Sequence, residues 1–514
     1  MPPVTRAAAR AATTKATTKA TTKATTKDSP RRSVLLIGSE AQPFAKTGGL
    51  ADVLGALPPA LQRLGWDATV VLPKYRGVSA GILSDTFPVT VGSYTRDVGF
   101  YEAPIADGAR ALLIDCPDLY DRPGLYGSDN TDYPDNARRF AFLSRAALEY
   151  AARRGAGPAV VHANDWQAGL APVYLKTHYA AHPVLGGTPS VFTIHNLAYQ
   201  GVFERDWLPR LDLGWDQFGM DRLEFYGRIS FLKGGINDAT AITTVSRRYA
   251  EEIQTPAFGC GFDGILRARA ADLVGILNGI DVREWDPAHD PFLPKPFDVG
   301  DLSGKRDVKV AVLGRYGLPA DAAALKRPLV GMVSRMVDQK GFDLIAATLE
   351  DLVQLDAAFI VLGTGEPRYQ EMWRALAARY PDRIGVRIGF DESLAHLIEG
   401  GADIFLMPSQ FEPCGLNQMY SMRYGTVPVV HGVGGLVDTV VNYSLRSKRS
   451  TGFVFADYTP PALLDALHRA CTIFGDARRW RAIQAAGMQQ NFSWDRSARE
   501  YVKIYERALA GAGG

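Results

Sequence analysis

The chain is short of cysteine, of long apolar runs and of net charge. Its 514 residues include four cysteines, Cys116, Cys260, Cys414 and Cys471, scattered without the spacing of a metal site. That spacing argues against a disulfide framework. With no secretory signal peptide read at the start, it fits a reducing, cytoplasmic setting. No apolar stretch reaches the ~20 residues that a membrane-crossing helix needs, so no membrane partner is expected. Lys and Arg number 57 against 55 Asp and Glu, for a net charge of +2. Residues 1–32 alone carry eight Lys/Arg and one Asp, which leaves the remainder at −5. That balance argues against a nucleic-acid-binding body.

What is present begins with a tail. Residues 12–27 are four copies of ATTK, with almost nothing to bury, so residues 1–32 read as a solvated basic segment. The alternative is a cleaved plastid transit peptide, since the segment contains arginine and is poor in acid.

From Ser33 onward, short apolar runs alternate with helical patterns. Strands are predicted at 33–38, 68–72, 111–115, 159–163 and 190–194. The alternation breaks over 284–304, EWDPAHDPFLPKPFDVGDLSG, which reads as a linker. It restarts with strands at 328–334, 358–363, 384–389, 403–407, 427–431 and 452–455. Two doubly wound α/β domains are therefore expected, one over 33–285 and one over 306–493, with a linker over 286–305. In such sheets ligands bind at the carboxyl ends of the strands, so two domains would face each other across a cleft.

Several motifs fall at those ends. KTGGLADV (46–53) follows the first strand. The Gly48–Gly49 pair lets backbone approach a ligand, the next helix offers free N–H groups, and Lys46 adds a charge. Together they read as an anion site, with phosphate favoured; a helix cap beside a solvated lysine is the alternative. The stretch is neither GxxxxGK[ST] nor GxGxxG. Arg335 and Lys340 follow the strand 328–334 and fit phosphate oxygens, or else a surface charge pair. Glu412 opens EPCGL (412–416) before a helix, where a buried carboxylate would bind sugar hydroxyls; an acidic first helical turn is the alternative. Gly434 and Gly435 precede another helix and offer further backbone donors. His162, Asp165, His195 and Asn196 also end strands, and several polar groups on one sheet edge are more telling than any one.

Taken together, the chain resembles bacterial glycogen synthases and plant starch synthases, retaining glucosyltransferases of the GT-B architecture. The resemblance rests on KTGGLADV (46–53), HANDWQAGL (162–170), TIHNLAYQG (193–201), ILNGID (276–281), SRMVDQKGFDL (334–344), FEPCGLNQMY (411–420) and STGFVF (450–455), in the family's order. It implies two Rossmann-like domains around a central cleft, with a last helix (494–509) crossing back to the first. It also implies roles. Lys46, Gly48 and Gly49 would meet the diphosphate and glucosyl part of a sugar nucleotide, and Arg335 and Lys340 would hold the phosphates. Asp165, His195 and Glu412 would line the glucose pocket with Cys414, Gly415 and Leu416. Phe390 would lie against the adenine, Thr451 and Gly452 near the nucleotide, and Asn278 at a sugar or acceptor contact.

The reaction so implied moves glucose from ADP-glucose to the 4-OH of an α-1,4-glucan, glycogen or starch, with retention. No cofactor and no metal are expected. The chain has no Asp-x-Asp pair of the kind by which other glycosyltransferases hold a metal on the diphosphate. Tyr420 stands where many retaining GT-B enzymes carry a second Glu, a departure shared by synthases with EPCGL. The rivals are a UDP-glucose-using GT-B enzyme and a catalytically silent glucan-binding protein.

Overall fold

A computed structural model describes residues 32–128 and 131–512 of the protein. The ATTK repeats lie outside these residues. Two sheets organise the described chain. The first contains β1 (Ser33–Ile37), β2 (Asp67–Pro73), β3 (Ile82–Val91), β4 (Tyr94–Pro104), β5 (Arg110–Asp115), β6 (Val160–Asn164), β7 (Ser190–Ile194), β8 (Ala241–Thr244) and β9 (Leu273–Gly275). Its strand order is β9-β8-β7-β6-β1-β2-β5-β4-β3. The second contains β10 (Leu329–Val333), β11 (Ala358–Gly363), β12 (Ile384–Ile388), β13 (Ile404–Met407), β14 (Val427–His431) and β15 (Phe453–Phe455), in the order β12-β11-β10-β13-β14-β15. All pairings in the second sheet are parallel.

The first sheet departs from the expected parallel pattern at one edge. β3 pairs antiparallel with β4, and β4 antiparallel with β5. That ribbon buries mainly one face, with Phe87, Val89, Val91, Val98 and Phe100 inward, and on the other face only Ala103 near its end. Its outer face is polar, so it shows no continuous apolar run of the kind that marks the central strands.

Alternation explains the layering. In β1, Val34 and Leu36 enter one apolar cluster while Leu35 and Ile37 enter another. A strand with both faces covered must be apolar throughout. Helix α1 (Gly49–Arg63) covers one face with Leu50, Val53, Leu54, Leu57 and Leu61. Gly38 lets it come close, since a Cβ there would lie 2.3 Å from the Leu54 side chain. On the second sheet, the helices that matter most for the site are α2 (Glu392–Gly401) and α3 (Asn417–Arg423).

The last helix, α4 (Trp494–Ala512), joins the cluster of β1 and α1. Trp494, Ala498, Tyr501, Tyr505 and Ala508 form its buried stripe, at alternating steps of four and three. The Tyr505 hydroxyl lies 2.8 Å from His162 Nδ1, and His162 Nε2 lies 2.6 Å from Thr193 Oγ1. The chain's end is thus bonded to the strands β6 and β7 that carry part of the site. No described helix is long and apolar enough to cross a membrane.

Candidate active site

The carboxyl ends of β1, β6, β7, β9, β10 and β13 converge on one cavity of about 750 Å³. Thirteen of the residues given a role from sequence line it: Lys46, Gly48, Gly49, Asp165, His195, Asn278, Arg335, Lys340, Phe390, Glu412, Cys414, Gly415 and Leu416, with Asn196 and Tyr420 beside them. Its size is that of a site for a small organic ligand.

The glycine turn differs from the open anion site expected of it. The buried Glu40 carboxylate already occupies its mouth. It accepts hydrogen bonds from the Thr47 hydroxyl (2.6 Å), the Gly48 N–H (3.1 Å), the Thr47 N–H and the Tyr126 hydroxyl. The donors left for an incoming anion are those of Gly49 and Leu50, which have no acceptor within the helix they begin. Across the cavity, a Cβ on Gly49 would lie 3.9 Å from Leu416. Lys46 is paired as well, donating to Asp52 at 2.7 Å, while burial holds the Asp52 carboxyl above its ordinary range.

Asp165 follows β6 with φ of +54°. This left-handed backbone costs a non-glycine residue about 1–2 kcal/mol. Such strain is retained where a side chain must point one way. Asp165 Oδ1 accepts the His195 N–H at 2.7 Å, and burial pushes its carboxyl up to about 7.

Asn164 sets the His195 tautomer. Its Nδ2 donates to the Ile37 and His162 carbonyls, each at 3.2 Å. Its Oδ1 therefore faces His195 Nε2 at 3.0 Å as an acceptor. Nε2 carries the proton and Nδ1 keeps a lone pair. Burial lowers the imidazole to about 3, so it is neutral at pH 7.

The second sheet brings the counterpart. Lys340 Nζ donates to the buried Glu412 carboxylate at 2.6 Å, and the Ser409 hydroxyl donates to the same oxygen at 2.9 Å. Gly341 makes this turn possible. Its φ is +81°, and a Cβ there would lie 2.1 Å from the Pro408 carbonyl oxygen. Among the described residues the Arg335 guanidinium bonds only to Gln339 (3.2 Å). Of the three predicted phosphate cations it is the one without a carboxylate partner among the described residues. Cys414 is buried and its thiol is pushed up to about 12, so it is no nucleophile at neutral pH. Asn278 offers a buried Oδ1 with no partner, an acceptor available to a hydroxyl.

Four expected contacts do not line the cavity. Gly434 donates its N–H to both oxygens of Glu252 at 3.1 Å, and Gly435 donates to the Glu412 carbonyl at 3.1 Å. Their backbone donors are spent inside the protein. Both glycines are needed for packing, since Cβ atoms would lie 1.9 Å from the Glu412 oxygen and 2.1 Å from the Cys414 oxygen. Thr451 and Gly452 are bonded to Val441 and buried behind β14 and β15. A Cβ on Gly452 would strike the Pro428 carbonyl oxygen at 2.4 Å.

Other residues of the site escaped the sequence reading. Glu40 and Asn164 act through long-range partners, Tyr126 and His195, that no local spacing reveals, whereas Ser409 stands only three residues before Glu412. Trp285, read only as part of the linker, lies sandwiched between His396 (3.9 Å between ring centres) and Tyr420 (3.8 Å). Where a second Glu would stand, Tyr420 therefore supplies an aromatic wall.

Comparison with known proteins agrees with this geometry. Residues 33–268 match the family described as the starch synthase catalytic domain, and residues 319–484 match glycosyl transferases group 1. A glycogen synthase of Anaeromyxobacter dehalogenans is 49% identical over 486 residues, covering 93% of this chain and 99% of its own. One of Koribacter versatilis is 44% identical over 480 residues, covering 92% and 98%. The catalytic domain of starch synthase IV from Arabidopsis thaliana, bound to ADP and acarbose, superposes with a TM-score of 0.85 at 32% identity, covering 94% of this chain and 100% of that one. With two α/β sheets facing one cleft and matches that span both, the chain has the GT-B fold and belongs to the glycogen and starch synthase family of glucosyltransferases.

Proposed function

We propose that this protein transfers glucose from ADP-glucose to the non-reducing 4-OH of an α-1,4-glucan with retention of configuration. The observation that carries the reading is the Lys340–Glu412 pair, set opposite the Lys46–Gly49 turn in one cavity. A cation and a buried carboxylate on one sheet face a glycine-lined helix start on the other. This suits a ligand with a diphosphate at one end and a sugar at the other. The related starch synthase IV carries ADP and acarbose, a nucleoside diphosphate and an oligosaccharide.

In this reading Arg335 and Lys340 hold the phosphates, with Lys46 and the N–H groups of Gly49 and Leu50 on the opposite side. The bond from the anomeric carbon to the β-phosphate oxygen breaks, and negative charge builds on that phosphate. Fixed cations in a water-poor cleft stabilise it most where it develops. The acceptor hydroxyl attacks from the same face, and its proton passes to a leaving phosphate oxygen. Asp165, His195 and Asn278 supply acceptors for sugar hydroxyls. His195 does so through Nδ1, and burial holds the Asp165 carboxyl well above its ordinary range. Phe390, 88% exposed at the rim, offers a flat face to a base. The chain's own cations do the work that a metal on the diphosphate does elsewhere.

The test is ADP release from ADP-glucose with and without glycogen, followed by proton NMR of the lengthened glucan. Glycogen-dependent release with new α-1,4 anomeric signals supports the proposal. Release without acceptor, or β signals, contradicts it. A preference for UDP-glucose would keep the reaction and replace the donor.

A further inference from the structure

One wall of the cleft carries a group of side chains that the transfer reaction leaves unused. A ring nitrogen of His396 and one carboxylate oxygen each of Glu284 and Glu392 lie within 4.8 Å of one another. Among the described residues this is the one group of three such ligands.

Three features set it apart from an ordinary acidic patch. Glu392 and His396 stand four residues apart on α2, so both project from one face of the helix. Metal-binding helices use the same i, i+4 spacing. His396 is 1% exposed, and its Nδ1 lies 2.7 Å from Asp290, leaving Nε2 buried and without a partner. A carboxylate on one imidazole nitrogen is the arrangement that fixes the tautomer and raises the basicity of a metal-ligating histidine. The ring is held in plane by Trp285, at 3.9 Å and 9°, so Nε2 cannot turn away.

We propose that Glu284, Glu392 and His396 Nε2 form a binding site for a divalent transition-metal cation of the zinc class. One nitrogen and two carboxylate oxygens suit such an ion, and the imidazole disfavours magnesium. Tetrahedral bonds of about 2.0–2.2 Å place ligand atoms roughly 3.4 Å apart. From separations within 4.8 Å the group must therefore contract by at most about 1.4 Å, which the two exposed glutamates accommodate by rotation. His396 stays fixed. At least one coordination position would remain open toward the cleft. The ion would tie the crossing segment that carries Glu284 to α2 of the second sheet.

The test is a zinc titration of the full chain with a chromophoric competitor, repeated with Glu284→Gln, Glu392→Gln and Asp290→Asn. One zinc per chain is expected, undisplaced by excess magnesium. Each glutamine variant should weaken binding at least tenfold, and Asp290→Asn by about 10–100-fold. Saturable binding that is unchanged in the Glu284→Gln/Glu392→Gln double variant overturns the proposal, as does no saturable binding by the wild type. Because Asp290 is buried, so that its variant tests folding as well as binding, wild-type crystals soaked in zinc give an independent answer. An anomalous peak among Glu284, Glu392 and His396 supports the site, and its absence there refutes it.

Discussion

Replacing Lys340 by Ala separates two roles that the structure superimposes. Lys340 Nζ sits 2.6 Å from Glu412, with the two side chains only 20% and 7% exposed. Removing the lysine strands a buried carboxylate whose remaining partner on that oxygen is Ser409, at 2.9 Å. Breaking such a pair costs about 3–5 kcal/mol. If Lys340 also holds the leaving phosphate, its loss lowers kcat by about 10²–10³. The double variant Lys340→Ala/Glu412→Gln distinguishes the two effects. It removes the stranded charge, so most of the stability returns, while the phosphate cation stays absent and kcat stays low. Urea midpoints and initial rates on the same preparations measure both. The reasoning is refuted if Lys340→Ala loses stability yet keeps kcat within threefold. It is refuted equally if the double variant regains activity together with stability, for then the lysine serves only to neutralise Glu412.

Three further predictions follow from particular residues. Because burial raises the Asp165 carboxyl to about 7, the folded state binds a proton there that the unfolded chain releases near pH 4. Asp165 therefore lowers stability as pH rises from about 4 to 7; urea midpoints of the wild type should fall over that range relative to Asp165→Asn, whose profile is flatter. His195 should show the neutral Nε2–H tautomer by ¹⁵N NMR and no titration between pH 5 and 8, whereas an imidazolium signal in that window would contradict the Asn164 assignment. Gly341→Ala should cost about 2 kcal/mol or more, read as a lowered thermal midpoint, from the positive φ and the overlap with Pro408.

Much of the architecture was legible because buried parallel strands are apolar on both faces. Runs such as Ser190–Ile194 and Ala358–Gly363 can be little else in an α/β alternation. The β3–β4 ribbon was missed for the opposite reason. It buries only alternate residues, and its period-2 pattern of Phe87, Val89 and Val91 is weaker than a continuous run. The two-residue Gly92–Ser93 link between its strands is a hairpin signal that would have revealed it.

The site was legible in its motifs and opaque in its wiring. Lys46, Arg335, Lys340 and Glu412 stand at strand ends, and the alternation of strands and helices put them on facing edges. That Glu40 would fill the glycine turn, or that Lys46 would pair with Asp52, depends on side-chain directions that spacing does not encode. Gly434, Gly435, Thr451 and Gly452 show the converse. Their motifs are as plain as the others, yet their backbone groups are consumed by Glu252, Glu412 and Val441. A glycine pair before a helix marks a close approach, and here what approaches is the protein's own backbone.

The most direct test of the central claim is to incubate the purified protein with ADP-glucose and a short α-1,4-oligosaccharide, with UDP-glucose in parallel, and read product masses. The account predicts a ladder of products, each one glucose longer than the last, formed faster from ADP-glucose and slowed about 10²–10³-fold with Lys340→Ala. No lengthened product from either donor would contradict it.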